Sequence, residues 1–87
     1  MTEETLLEFP CAFPLKVTGL NQPGFEQYVV EIVRTHVGSG ALAEVATRTS
    51  RNGRYIAVTV NFTAASKAQL DDIYRALSAS EQVLFLL

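Results

Sequence analysis

Few side chains in this 87-residue chain have the chemistry to catalyse a reaction or hold a metal. There is one histidine, His36, and one cysteine, Cys11. A general base needs a nucleophile or carboxylate in reach, and a metal needs several donors; neither set stands at a usable spacing around His36. A lone thiol at Cys11 can form no internal disulfide, no CxxC redox pair and no closed zinc site. An activated thiolate also needs a nearby cation or helix N-terminus, and Lys16 on the following strand supplies little. Asp71 and Asp72 are adjacent on a helical pattern, so they project about 100° apart and cannot work as an acid–base pair. The expectation is a chain without catalytic residues, metal ligands or cofactor.

Binding chemistry is better represented. Arg48, Arg51 and Arg54 flank Asn52-Gly53 and form the densest positive charge in the sequence. Guanidinium groups grip carboxylates and phosphates through paired hydrogen bonds, so this cluster suits an anionic group on a ligand or partner. The competing reading is a solvated hairpin tip. Tyr55 follows directly and begins an alternating strand, and Lys16 occupies a polar position on an earlier one.

The elements that must position these residues can be read from periodicity. Residues 1–12 carry Leu6, Leu7 and Phe9 ahead of Pro10 and Pro14, the pattern of an extended arm; the domain proper is expected over 13–87. A first strand is expected from Phe13 to Gly19. Asn21-Gln22-Pro23-Gly24 has the punctuation of a helix start, with Asn21 as the capping type. Phe25, Val29, Ile32, Val33 and His36 then follow one helical stripe, closed by Gly38. A second strand, about Ala43–Ser50, meets a third at Tyr55 through Asn52-Gly53, residues suited to the positive φ of a tight hairpin. Ser66 and Gln69 fit a capping box before the stripe Leu70, Ile73, Tyr74 and Leu77. Gln82–Leu87 forms the last strand.

The order is therefore β-α-β-β-α-β. Two right-handed crossovers joined by a hairpin give an α+β, ferredoxin-like sandwich: an antiparallel four-stranded sheet, order 4-1-3-2, with both helices on one face. Ile56, Val58, Val60 and Phe62 should face the helices, and Tyr55, Ala57, Thr59 and Asn61 the side without any. The last strand is apolar at every position, Val83 to Leu87. By alternation it adds either Leu84 and Leu86, or Val83, Phe85 and Leu87, to the uncovered side. A strand apolar on both faces expects cover on both. The candidates are the Leu6-Leu7-Phe9 arm, a second copy of the chain, or another protein.

Composition narrows the class. Net charge is −2 and the isoelectric point about 5.2, which argues against a general nucleic-acid binder. An apolar fraction of 48% with 18% charged residues marks a globular chain, not a disordered one. The acidic start and the lack of any long apolar run predict no signal peptide, no membrane span and a reducing, cytoplasmic setting.

Leu6-Leu-Glu-Phe-Pro10, Phe13-Pro-Leu-Lys-Val-Thr-Gly19, Asn52-Gly-Arg-Tyr55 and the hydrophobic final strand together resemble the YbeD-like family of small bacterial proteins of unknown function. Phe9, Lys16, Gly19, Gly53 and Tyr55 fall within those matching blocks. The resemblance implies a fold akin to the ACT-type regulatory domains and brings no catalytic residues with it. By the same likeness, the turn Gly19–Gly24 occupies the place where ACT-type domains bind small ligands. The functional expectation is a non-catalytic regulatory or protein-interaction module acting through its open sheet face, as a homodimer or with a partner protein. Its candidate contacts are Phe9, Lys16, Gly19, Arg48, Arg51, Arg54, Tyr55, Leu84 and Leu86. The alternative is an ACT-like sensor of an amino acid or carboxylate; an RNA-binding module is a weaker third reading.

Overall fold

The computed structural model describes residues 8–87. They form β1 (Cys11–Leu20), α1 (Phe25–Val37), β2 (Leu42–Thr49), β3 (Tyr55–Ala64), α2 (Lys67–Ser78) and β4 (Val83–Leu86), with one 3-10 turn at Ser39–Ala41 before β2. The β-branched run of β3 pairs with β2 on one side and β1 on the other, and β1 pairs with β4. The antiparallel order β2-β3-β1-β4 is the expected 4-1-3-2 order counted from the opposite edge.

An unbroken ladder from Cys11↔Ala64 to Leu20↔Tyr55 joins the two central strands. β1 is thus longer than the Phe13–Gly19 expected, and it contains Pro14. Lys16 explains how. It exchanges both backbone hydrogen bonds with Leu87, at 3.2 and 2.9 Å, so its polar backbone groups point towards β4. Alternation turns the backbone of Pro14 the same way, beyond the end of β4, where no N–H is required.

The core lies between the sheet and its helices. Leu15 and Val17, then Val58, Val60, Phe62 and Ala64, meet Phe25, Val29 and Val33 of α1 and Leu70, Ile73 and Leu77 of α2; all are buried. The expected helical stripes are the ones used, with Ile32, His36 and Tyr74 half-buried at their margins. Burial raises the pKa of the Tyr74 phenol above its usual value. Phe9, Cys11 and Phe13 extend the core at one end, where the Phe13 and Phe62 rings lie 5.9 Å apart. Phe9, from the arm that is one of the three candidate covers, therefore packs on the helix side and does not cover the open face; Leu6 and Leu7 lie outside the described residues.

Two bulges break strict alternation. One between Leu42 and Glu44 places Leu42 opposite Phe62 and Val45 opposite Val60, so both join the core side although three residues apart. The other, in β4, has the same effect: Val83 lies opposite Gly19 and Leu86 opposite Val17. Neither alternating set holds whole, because Leu84 is the extra residue: Phe85 and Leu87 reach the open face as the second set has them, while its Val83 turns to the core.

The connections also differ in detail. Gly24, at φ 85°, caps α1 without a side chain. Asn21 instead donates from its side chain to the Gly53 carbonyl at 2.9 Å and from its backbone to Arg54, tying this loop to the β2–β3 hairpin. In that hairpin Gly53 alone takes positive φ, 76°. Asn52 serves as an acceptor, its Oδ1 receiving the Arg54 N–H at 3.0 Å and the Ser50 hydroxyl at 2.9 Å. Ser66 caps α2 as expected, accepting from the Gln69 N–H, while the Gln69 side chain bridges from the Ala65 N–H to the His36 carbonyl. Tyr28 donates to the Ser80 hydroxyl at 2.7 Å, pinning the approach to β4 onto α1.

Gly19 is the tightest point of the fold. A Cβ there would lie 2.6 Å from the Phe25 ring and closer still to the Gln82 carbonyl. Because one obstacle is backbone, Gly19→Ala should destabilise the protein by about 1–3 kcal/mol in urea unfolding. A loss below about 0.5 kcal/mol would show that the β4 approach yields freely.

Candidate functional site

Cross-strand partners share a face, so the register defines the side that no helix covers. Across the four strands one row reads Arg48, Ala57, Thr18, Phe85. The next reads Ala46, Thr59, Lys16 and, through its hydrogen bonds to Lys16, Leu87. At the hairpin end Leu20 stands opposite Tyr55, and at the other end Glu44, Asn61 and Pro14 line up. The middle of the face is paved with small residues. Large apolar side chains rim it on two sides and cations stand between them.

The rim is wet. Leu20 is 46% exposed, Tyr55 38%, Phe85 67% and Leu87 74%. Among the described residues nothing lies over them. Leu86, a candidate contact in the sequence reading, is half-buried against the core and points the other way. Leu84 is 46% exposed and borders a shallow edge depression of about 250 Å3 with Ser78 and Val83, away from the main patch. Phe85 and Leu87 take the places assigned to these two. The alternative set named both, and the β4 bulge turns only its third member, Val83, to the core.

Of the other candidates, Lys16, Arg48 and Tyr55 share the open face, and the Arg54 guanidinium stands 6.0 Å from the Tyr55 ring centroid. Arg51 lies on the exposed hairpin loop beside them. Thr18, Arg48, Tyr55 and Ala57 line a shallow depression of about 210 Å3. Phe9 and Gly19 are not brought to this site; both serve packing on the helix side. Leu20 was missed by the sequence reading, although it ends a strand whose partner begins at Tyr55.

The residues set aside for chemistry have structural partners. His36 Nδ1 lies 2.9 Å from the Ile32 carbonyl within α1. Cys11 packs at the end of the core opposite Ala64. Among the described residues no three His, Cys, Asp or Glu side chains converge to hold a metal ion. No helix among them is long and apolar enough to cross a membrane.

Comparison with known proteins gives the chain a family and a fold. A family model described as "Protein of unknown function (DUF493)" matches residues 4–87. A UPF0250 protein of Nitrosomonas europaea is 44% identical over 87 residues, with both chains covered in full. One from Neisseria gonorrhoeae is 45% identical over 91 residues, again with full coverage of both. The YbeD-like resemblance read from the sequence is thereby confirmed. Among solved structures, the C-terminal domain of the MgtC protein from Mycobacterium tuberculosis superposes with a TM-score of 0.65. At 19% identity, over 93% of this chain and 88% of that one, the likeness is one of fold.

The two faces of β4 can be separated by mutation. Leu86→Ala should cost about 1–2 kcal/mol in denaturant unfolding, because its side chain packs on the core. Phe85→Ala should change stability by no more than about 0.5 kcal/mol. The reverse ranking would mean that the strand register is wrong.

Proposed function

The chain belongs to the DUF493 family of proteins of unknown function, and we propose that it is a non-catalytic interaction module that binds a partner protein on its open sheet face. One observation carries this reading: Leu20, Tyr55, Phe85 and Leu87 stand exposed together on the face without helices. Large apolar side chains gathered on one side of a small domain mark an interaction surface more often than an accident of composition. Hiding about 300 Å2 of such surface is favourable by several kcal/mol before ordering entropy is subtracted. The contacts of His36 with the Ile32 carbonyl and of Cys11 with the end of the core support the non-catalytic reading.

An in-cell photo-crosslinking experiment tests the reading. A photoreactive residue at position 85 should give discrete protein adducts, and one at Gln27 on exposed α1 should not. Adducts to a second copy of the chain would identify the homodimer version. No adduct from position 85, or the same adducts from both positions, would remove the proposal.

A second reading, a small-metabolite sensor of the ACT type, draws on the depression beside Arg48 and Tyr55. Its size suits an amino acid or small dicarboxylate, with Arg48 as the carboxylate contact. The Gly19–Gly24 turn offers less, because Gly19 is filled in by Phe25 and the Gln82 carbonyl. A thermal-shift screen of amino acids and dicarboxylates should raise Tm in the wild-type protein and not in Arg48→Ala. No rise with any compound would discard the sensor.

A further inference from the structure

We infer that the partner of the open face is an acidic amphipathic helix of another protein. This rests on the interaction-module reading and adds the chemistry of what binds.

Charge is divided unevenly between the two layers. The chain holds seven Lys and Arg residues. Arg34, Lys67 and Arg75 each pair with a carboxylate on their own helix: Glu31, Asp71 and Asp72. The other four, Lys16, Arg48, Arg51 and Arg54, have no ion pair among the described residues. Lys16 and Arg48 lie on the open face, and Arg51 and Arg54 on the hairpin at its end. The acidic residue in the rows of this face is Glu44, at the end away from the hairpin. A protein of net charge −2 therefore turns a positive side outward where it also exposes its apolar rim.

Shape selects a helix. The row from Arg48 to Phe85 crosses three gaps between strands, about 14 Å, wider than the roughly 10 Å body of a helix. Ala46, Ala57, Thr18 and Thr59 make a floor of small residues with Lys16 standing on it beside Thr59, so a helix seated between the rims would turn carboxylates to Lys16. Its apolar stripe would meet Phe85 and Leu87 on one side and Leu20 and Tyr55 at the end. Carboxylates flanking that stripe would reach Lys16, Arg48 and Arg54. A helix on this face also completes the three-layer arrangement by which a sheet buries both sides.

Other occupants fit less well. Two copies stacked face to face would bring two sets of Lys16 and Arg48 into one interface, with Glu44 the acidic residue in the rows of either face. Single-stranded nucleic acid seeks aromatic rings along the central strands. Here β1 presents none and β3 presents Tyr55, followed by Ala57, Thr59 and Asn61.

The test is an amide NMR titration of the whole chain with a helical leucine/glutamate peptide of about 18 residues. Parallel titrations use the same peptide with every Glu replaced by Gln, and an oligouridylate. The Glu peptide should shift amides of Lys16, Thr18, Ala57 and Phe85. Its affinity should fall about tenfold in the Gln version, and again between about 0.05 and 0.5 M NaCl. The exposed double variant K16E/R48E should lose the Glu peptide to a similar degree while keeping a folded spectrum. Equal, salt-insensitive binding of both peptides to this face would overturn the acidic partner and leave the interaction module standing. Tighter binding of the oligouridylate would also overturn it, in favour of nucleic acid. No shift on this face with any probe would remove both inferences.

Discussion

Two helices can shield one side of a four-stranded sheet, and the rest of this molecule follows from which residues the strands turn to that side. The unbroken β1–β3 ladder fixes the choice. It sets Leu15 and Val17 beside Val60 and Val58 under the helices, and leaves Lys16 and Thr18 beside Thr59 and Ala57 above. A slip of one residue would exchange the two sets and expose the core. Gly19 locks this register from the end, because Phe25 of α1 and the approach to β4 both close upon it. The position reads as a family feature or a loop glycine in the sequence. In the fold it is where helix, strand and connection meet with no space for a Cβ.

Much of this was legible because each element carries its own period. The stripe Phe25, Val29, Val33, the capping serine Ser66, the alternation Val58, Val60, Phe62 and the strand order all stand as the sequence implies. What was not legible depends on single insertions and on contacts distant in the chain. The bulge at Leu84 makes Val83 and Leu86 share a face, which a two-residue period cannot express. Asn21 looks like a helix cap until the hairpin is beside it, where the Gly53 carbonyl claims its amide. Asn52 looks like a positive-φ residue, yet its side chain holds the turn and Gly53 alone bends it. Leu20 seemed a loop residue because the strand's length was set by its partner, not by its own alternation. The candidate site suffered most, since the bulge decides which β4 residues it contains.

The distribution of charge has a local cause. Helix-borne cations find carboxylates three or four positions away on the same helix, a spacing that the sheet does not provide. A strand residue can be neutralised only across the sheet, and Lys16 and Arg48 stand beside Thr59 and Ala57. Exposed helix pairs contribute little stability each, but they leave the helix layer nearly silent at long range. The sheet face keeps its positive field, which attracts an acidic partner and opposes a second copy in the same orientation.

Affinity and fold stability are coupled at β4. This strand is four residues long and holds to β1 through Val17–Gly19, with the Lys16–Leu87 hydrogen bonds closing its end. Its core side is anchored by Val83 and Leu86, while Phe85 and Leu87 hold nothing beneath the open face. A helix seated on Phe85 and Leu87 would touch the shortest strand of the sheet and bind only when that strand is in place. Such binding must stabilise β4 by the amount that the strand's order contributes to affinity, since the two are one linkage. The same exposed pair that leaves the strand without cover would thus let a partner select its folded form.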